Sequence, residues 1–114
     1  MITIYHNNRC TKSRCALELI QKETKDFRVI EYLKTPPSEK ELEDILKKLN
    51  MKAEEIARKK EPLFKEKFEG KKFTEEQWIK ILAKNPILIE RPIVVKGNKA
   101  VIGRPTEKIL QILQ

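Results

Sequence analysis

Cys10 lies in the segment HNNRCTKS, with no apolar residue within three positions on either side. A cysteine used for packing normally has apolar neighbours; this one has His6 upstream and Arg9, Lys12 and Arg14 around it. Residues 2–5, Ile-Thr-Ile-Tyr, alternate and read as a strand, and a helix is expected from about Thr11 to Lys22. The thiol therefore stands where a strand hands over to a helix. Unpaired backbone N–H groups and the positive end of the helix dipole at that place favour thiolate over thiol. The chemistry on offer is that of a reactive, nucleophilic sulfur.

Two neighbours decide what kind of nucleophile this is. Ser13, three residues on, falls about 60° around the helix on the same face. It occupies the place of the resolving thiol in a Cys-x-x-Cys pair, and it can donate a hydrogen bond to a thiolate but cannot form a disulfide. Cys15 falls roughly 140° around the helix and about 7.5 Å along it, beyond disulfide reach. It reads as a packing or surface thiol near Leu19. Cys10 is thus expected to work alone, with an external reductant.

The chain has 114 residues, 39% hydrophobic and 37% charged, which suits one compact domain with its own core. With two cysteines and one histidine there is neither a disulfide framework nor zinc-ligand spacing, and no metal is expected. No apolar run is long enough to span a membrane and the first residues lack a signal-peptide core, so a cytoplasmic, membrane-free protein is expected. The net charge of +8 comes from lysines spread through every segment and interleaved with glutamates, the pattern of solvated helix faces; nucleic acid is not an expected partner. Only six of the 25 basic residues are arginines: Arg9, Arg14, Arg28, Arg58, Arg91 and Arg104. A planar fork that holds an oxyanion bidentately is something lysine cannot supply.

The elements that must position these groups follow in order. After the first strand and helix, Phe27–Leu33 reads as a strand parallel to the first, completing a βαβ unit. Ser38-Glu39-Lys40-Glu41 and Thr74-Glu75-Glu76-Gln77 are capping boxes. The first opens a helix burying Leu42, Ile45, Leu46 and Leu49, the second one burying Trp78, Ile81 and Leu82. Between them a helical piece is expected over about Ala53–Lys59, with Arg58 near its end, then a polar linker from Glu61 to Lys72. Ile93–Val95 and Ala100–Ile102 form a hairpin across Lys96-Gly97-Asn98-Lys99. A last helix, capped by Thr106, packs through Ile109, Leu110, Ile112 and Leu113. The sum is an α/β fold: βαβ, a helical insertion at about 38–86, then ββα, in a single domain over 1–114.

In that order the segments ITIYHNNRCTKSR, EYLKTPPSEKEL, ARKKEP, KNPILIERPIVV and IGRP resemble the glutaredoxin-coupled arsenate reductases, in the superfamily that also holds the Spx regulators. The resemblance runs the length of the chain and implies a thioredoxin-like fold with a helical insertion. It implies that Cys10 is the nucleophile toward arsenate, that His6 helps keep the thiol ionised, and that Arg58, Arg91 and Arg104 bind the oxyanion. Pro92 matches the position of the cis-proline that stands beside the active thiol in thioredoxin folds. Arsenate would be reduced to arsenite through a thio-arsenate adduct, with glutathione as co-substrate, glutaredoxin as partner and no bound cofactor. A monomer is expected. Asn8 stands where many members of the family have proline, which would loosen the nucleophile loop.

Two other readings share the fold. An Spx-type transcriptional regulator would contact RNA polymerase, but its redox-sensing members carry Cys-x-x-Cys where this chain has Ser13. A general glutathione-dependent thiol oxidoreductase would use Cys10 without needing three arginines.

Overall fold

A computed structural model describes residues 1–113, which fall into two compact units, Met1–Thr35 with the segment from Arg91 onward, and Pro36–Glu90. The first unit is built on a four-stranded sheet in the order β2-β1-β3-β4. Strand β1 (Ile2–His6) lies at its centre, parallel to β2 (Phe27–Glu31) and antiparallel to β3 (Ile93–Lys96). Strand β4 (Lys99–Ile102) pairs antiparallel with β3. The alternation of Ile-Thr-Ile-Tyr-His puts Ile2, Ile4 and His6 on the buried face. Ile4 is level with Val94 on one side and Val29 on the other.

Helix α1 (Thr11–Glu23) crosses between the parallel strands and buries Ser13, Ala16 and Ile20. Its Ala16 and Ile20 meet Ile2, Ile4, Val94, Ile109 and Ile112 in one apolar cluster, with Leu17, Leu19 and Phe27 packed at its edge. Only the i, i+3, i+7 stripe faces the sheet squarely, so Leu17 and Leu19 are half-buried. Strand β2 ends two residues before the expected Leu33. Lys34 and Thr35 donate their amides back to the Glu31 carbonyl and close a turn there.

The hairpin turns on Gly97 and Asn98, with Lys96 opposite Lys99 and Gly97 at φ +60. The last helix differs from its expectation. It opens as a 3-10 turn, Thr106–Ile109, with no side-chain cap, and continues as α5 (Leu110–Leu113). Ile109 and Ile112 are buried, whereas Leu110 is exposed. Gly103, just before this turn, donates its amide to the Pro92 carbonyl. A Cβ added there would lie 2.9 Å from Ile109 Cδ1 and 3.0 Å from Pro92 Cγ. Gly103→Ala is expected to destabilise the protein by about 1–3 kcal/mol through overpacking, read as a lower melting temperature.

The second unit contains α2 (Glu39–Leu49), α3 (Pro62–Lys67) and α4 (Glu75–Lys84). Both expected capping boxes form: Ser38 Oγ accepts from the Glu41 amide at 3.1 Å, and Thr74 Oγ1 from the Gln77 amide at 3.2 Å. Helix α2 stops at Asn50 in the left-handed region, φ +57. In α4 the buried residues are Trp78, Ile79 and Leu82, so Ile79 takes the inward place expected of Ile81. The segment read as a polar linker holds α3, because Pro62 at N1 starts a helix as readily as it ends one. Phe64 of α3 stacks on Trp78, ring centroids 5.9 Å apart.

The helical piece expected over Ala53–Lys59 is also shorter. Ala53–Ile56 is one 3-10 turn, and Ala57 after it is extended. Ala57 bridges Ile89 antiparallel, with Arg58 N–H donating to the Leu88 carbonyl (2.7 Å) and Glu90 N–H to the Ile56 carbonyl (2.8 Å). These long-range bonds outcompete the local helix and place Arg58 directly after the Ala57 bridge, outside any helix.

Candidate active site

Cys10 is the N-cap residue of α1, with extended backbone angles of φ −97 and ψ 119. Its amide donates to the Asn7 carbonyl (3.0 Å) and its carbonyl accepts the Arg14 amide (3.0 Å), so the loop closes directly into the helix. The thiol is 7% exposed, whereas Cys15, one turn on, is exposed; both are free. Arg14, one of the six scarce arginines, braces this loop: its guanidinium donates to the Asn8 carbonyl (2.8 Å) and to Thr11 Oγ1 (3.3 Å).

The residues at the far end of the chain come to the same place. Arg91 precedes β3 and Arg104 follows β4, adjacent antiparallel strands, so their loops meet at one end of the sheet. Arg104 Nε donates to the Arg91 carbonyl at 2.8 Å, and its Nη2 lies 3.6 Å from Cys10 Sγ. One guanidinium therefore ties the loop before β3 to the sulfur at the head of α1. The Arg91–Pro92 peptide is cis, and so is Arg104–Pro105, which the sequence reading did not single out.

Electrostatics follow the geometry. Burial pushes the Cys10 thiol up, but the Ser13 amide, the Arg91 charge, the Lys12 amide and the Arg104 charge together outweigh it. The thiol consequently ionises below its ordinary range. The sulfur makes no cap hydrogen bond of full geometry with these amides, so they act on it as oriented dipoles.

His6 and Ser13 are buried, at 2% and 0% exposure, and they are each other's partners. His6 Nδ1 lies 2.6 Å from Ser13 Oγ, and Nε2 lies 2.7 Å from Asn8 Oδ1. The Ser13 hydroxyl also accepts the Asn7 amide at 3.0 Å. It is thus the Ser13 amide, and not the hydroxyl, that serves the sulfur, while the hydroxyl is engaged by His6 and Asn7. Asn8, expected to loosen the loop, has its side chain bonded on both sides, since its Nδ2 also donates to Glu31 Oε1 at 3.0 Å.

Arg58 belongs to the second unit. There its guanidinium donates to Glu61 Oε1 at 3.0 Å and to the Ile87 carbonyl at 3.3 Å. Among the described residues no group of three or more His, Cys, Asp or Glu side chains is placed to hold a metal ion. No helix among them is long and apolar enough to cross a membrane.

The model of the ArsC family matches residues 5–112. The chain belongs to the ArsC family. It is 45% identical to the Escherichia coli protein described as uncharacterized protein YfgD, over 98% of this chain and 96% of that one. It is 40% identical to an arsenate reductase of Neisseria meningitidis serogroup B, over 98% and 97%. The solved arsenate reductase structure from Vibrio cholerae superposes with a TM-score of 0.92 at 39% identity, covering 97% of this chain and 96% of that one. The mixed α/β sheet with its helices is thus the thioredoxin-like architecture of the ArsC family's structures.

Proposed function

We propose that this ArsC-family protein reduces arsenate to arsenite with Cys10 as nucleophile, glutathione as co-substrate and glutaredoxin as the protein that regenerates the thiol. The observation that carries this reading is the Arg104 guanidinium, held by the Arg91 carbonyl with its Nη2 beside the Cys10 sulfur. A fork in that position can hold an oxyanion against a thiolate, and relatives of this length are named arsenate reductase.

Arsenate is a dianion near neutral pH, so its approach to a thiolate is repulsive unless cationic donors offset the charge. Arg91 and Arg104 supply these within the first unit, and the resemblance adds Arg58. Cys10 sulfur forms a bond to arsenic while one arsenate oxygen leaves as water, its protons drawn from solvent. A glutathione thiolate then attacks the Cys10 sulfur; the sulfur–arsenic bond breaks with its electron pair going to arsenic, and arsenite departs as As(III). The two electrons come from the two sulfurs, which remain joined as a Cys10–glutathione disulfide. Glutaredoxin takes the glutathione and returns Cys10 to the thiol. Cys15 has no part in this cycle. Pro92, beside Gly103, supports the loop from which Arg91 projects.

The test is arsenite release from arsenate by purified protein, with glutathione and glutaredoxin supplied together and each omitted in turn. Release that requires all components supports the reading. No release with every component present, or release undiminished by Cys10→Ser, overturns it.

A further inference from the structure

Asn8 and Glu31 have no role in the reaction proposed above, yet their side chains complete the chain of hydrogen bonds that starts at the nucleophile loop. Glu31 is the last residue of β2 and is level with His6, the last residue of β1, in the parallel register. Its carboxylate only accepts hydrogen bonds, so the amide nitrogen of Asn8 must face it at 3.0 Å. That turns Asn8 Oδ1 toward His6 Nε2 at 2.7 Å. An amide oxygen cannot donate, so Nε2 carries a proton. In the neutral ring Nδ1 is then an acceptor, and it receives the Ser13 hydroxyl at 2.6 Å. The same Ser13 oxygen accepts the Asn7 amide, and the Asn7 carbonyl accepts the amide of Cys10.

Every donor along this path meets an acceptor, and its direction originates at the Glu31 carboxylate. Reversing the Asn8 amide would set its oxygen against the carboxylate and its nitrogen against Nε2. With the proton moved to Nδ1, the Ser13 oxygen would have to accept from both His6 and Asn7, and its own proton would lose its place. Lys34 Nζ lies 3.7 Å from the other Glu31 oxygen, at the solvent end of the path.

We propose that Asn8, oriented by Glu31, is a positioning residue that holds His6 as the Nε2–H tautomer and, through Ser13 and Asn7, sets the loop that carries Cys10. This rests on Cys10 being the nucleophile and not on the identity of its substrate.

His6 is the sole histidine, so its two ring nitrogens give unambiguous signals in 15N NMR of histidine-labelled protein. The wild type should show a protonated Nε2 and an unprotonated Nδ1. Asn8→Ala should produce a tautomer mixture and slow iodoacetamide alkylation of Cys10, measured at neutral pH in a Cys15→Ser background, by about threefold. Glu31→Gln, at a half-exposed position, should shift the tautomer in the same direction and less. Asn8→Asp in the Glu31→Gln background keeps an acceptor facing Nε2 and a donor facing position 8, and should restore the Nε2–H signal. Unchanged ring-nitrogen signals in Asn8→Ala overturn the proposal, as does a shifted tautomer with an unchanged alkylation rate. Should Asn8→Ala fail to fold, unchanged signals in Glu31→Gln overturn it equally. A wild-type Cys10 that alkylates no faster than in the unfolded chain would overturn the nucleophile reading, and the proposal with it.

Discussion

Replacing Cys10 by serine will abolish arsenate turnover, with a loss of at least about a thousandfold under the full glutathione and glutaredoxin assay. Two independent steps fail. A serine hydroxyl is not ionised near neutral pH, and the dipoles and arginines that bring the thiol below its ordinary range are far too weak to ionise an alcohol there. The second step needs a sulfur–sulfur bond to collect one of the two electrons, and oxygen does not form its counterpart. Cys15 cannot take over, because it is exposed on α1 one turn beyond the thiol, away from the Arg104 guanidinium that reaches Cys10. Cys15→Ser should therefore keep activity within about twofold, since it alters only an exposed position. The pair of variants, assayed side by side for arsenite release, separates a single-thiol mechanism from one that passes through an intramolecular disulfide.

Arg104→Lys is expected to lower kcat/KM for arsenate by about a hundredfold, roughly 3 kcal/mol of transition-state stabilisation. The guanidinium donates through Nε to the Arg91 carbonyl while Nη2 stands 3.6 Å from Cys10 Sγ. A single ammonium on a flexible stem cannot hold both places. The charge-preserving variant is the informative one, because a disulfide reductase that merely needs a cation near its thiol should be nearly indifferent to it. Arg104→Ala adds a second effect, on the pH dependence. Cys10 ionises below the ordinary thiol range, with the Arg104 charge among the causes, so its alkylation rate should reach half its plateau at a lower pH than a free thiol's. Removing the charge moves that midpoint upward, and the lysine variant should move it less. The same depression links ionisation to folding. It stabilises the protein above the unfolded thiol's pKa, and that contribution is lost as the pH falls through the lower folded value. A wild-type midpoint at or above that of a free thiol would contradict this account.

Much of the site was legible because its parts are local. The change from period two to period 3.6 around HNNRCTKS marks a strand–helix junction, and the thiol at that junction becomes the N-cap of α1. The Ser38 and Thr74 boxes each satisfy amides within three residues of themselves, so spacing alone sufficed to find α2 and α4. Local rules also misled. Pro62 reads equally well as a stop or a start, and only the stacking of Phe64 on Trp78 decides for α3. Arg58 looked helical from its neighbours, but its amide found the Leu88 carbonyl thirty residues away.

The sequence by itself determined that Cys10 would be a thiolate-prone sulfur without a resolving thiol, because a helix start and the phases of Ser13 and Cys15 depend on backbone geometry over a few residues. It also marked arginine as scarce enough to need a reason, though it could not say which reason: Arg14 proved to brace the loop. Only the tertiary structure decided that Arg104, ninety-four positions from Cys10, would reach the sulfur, because that contact depends on β1, β3 and β4 pairing in one register. Only it turned the Ser13 hydroxyl away from the thiol and onto His6, leaving the backbone amide in its place. That choice follows from the parallel register that sets Glu31 beside His6, and with it the direction of every hydrogen bond from the carboxylate to the nucleophile loop.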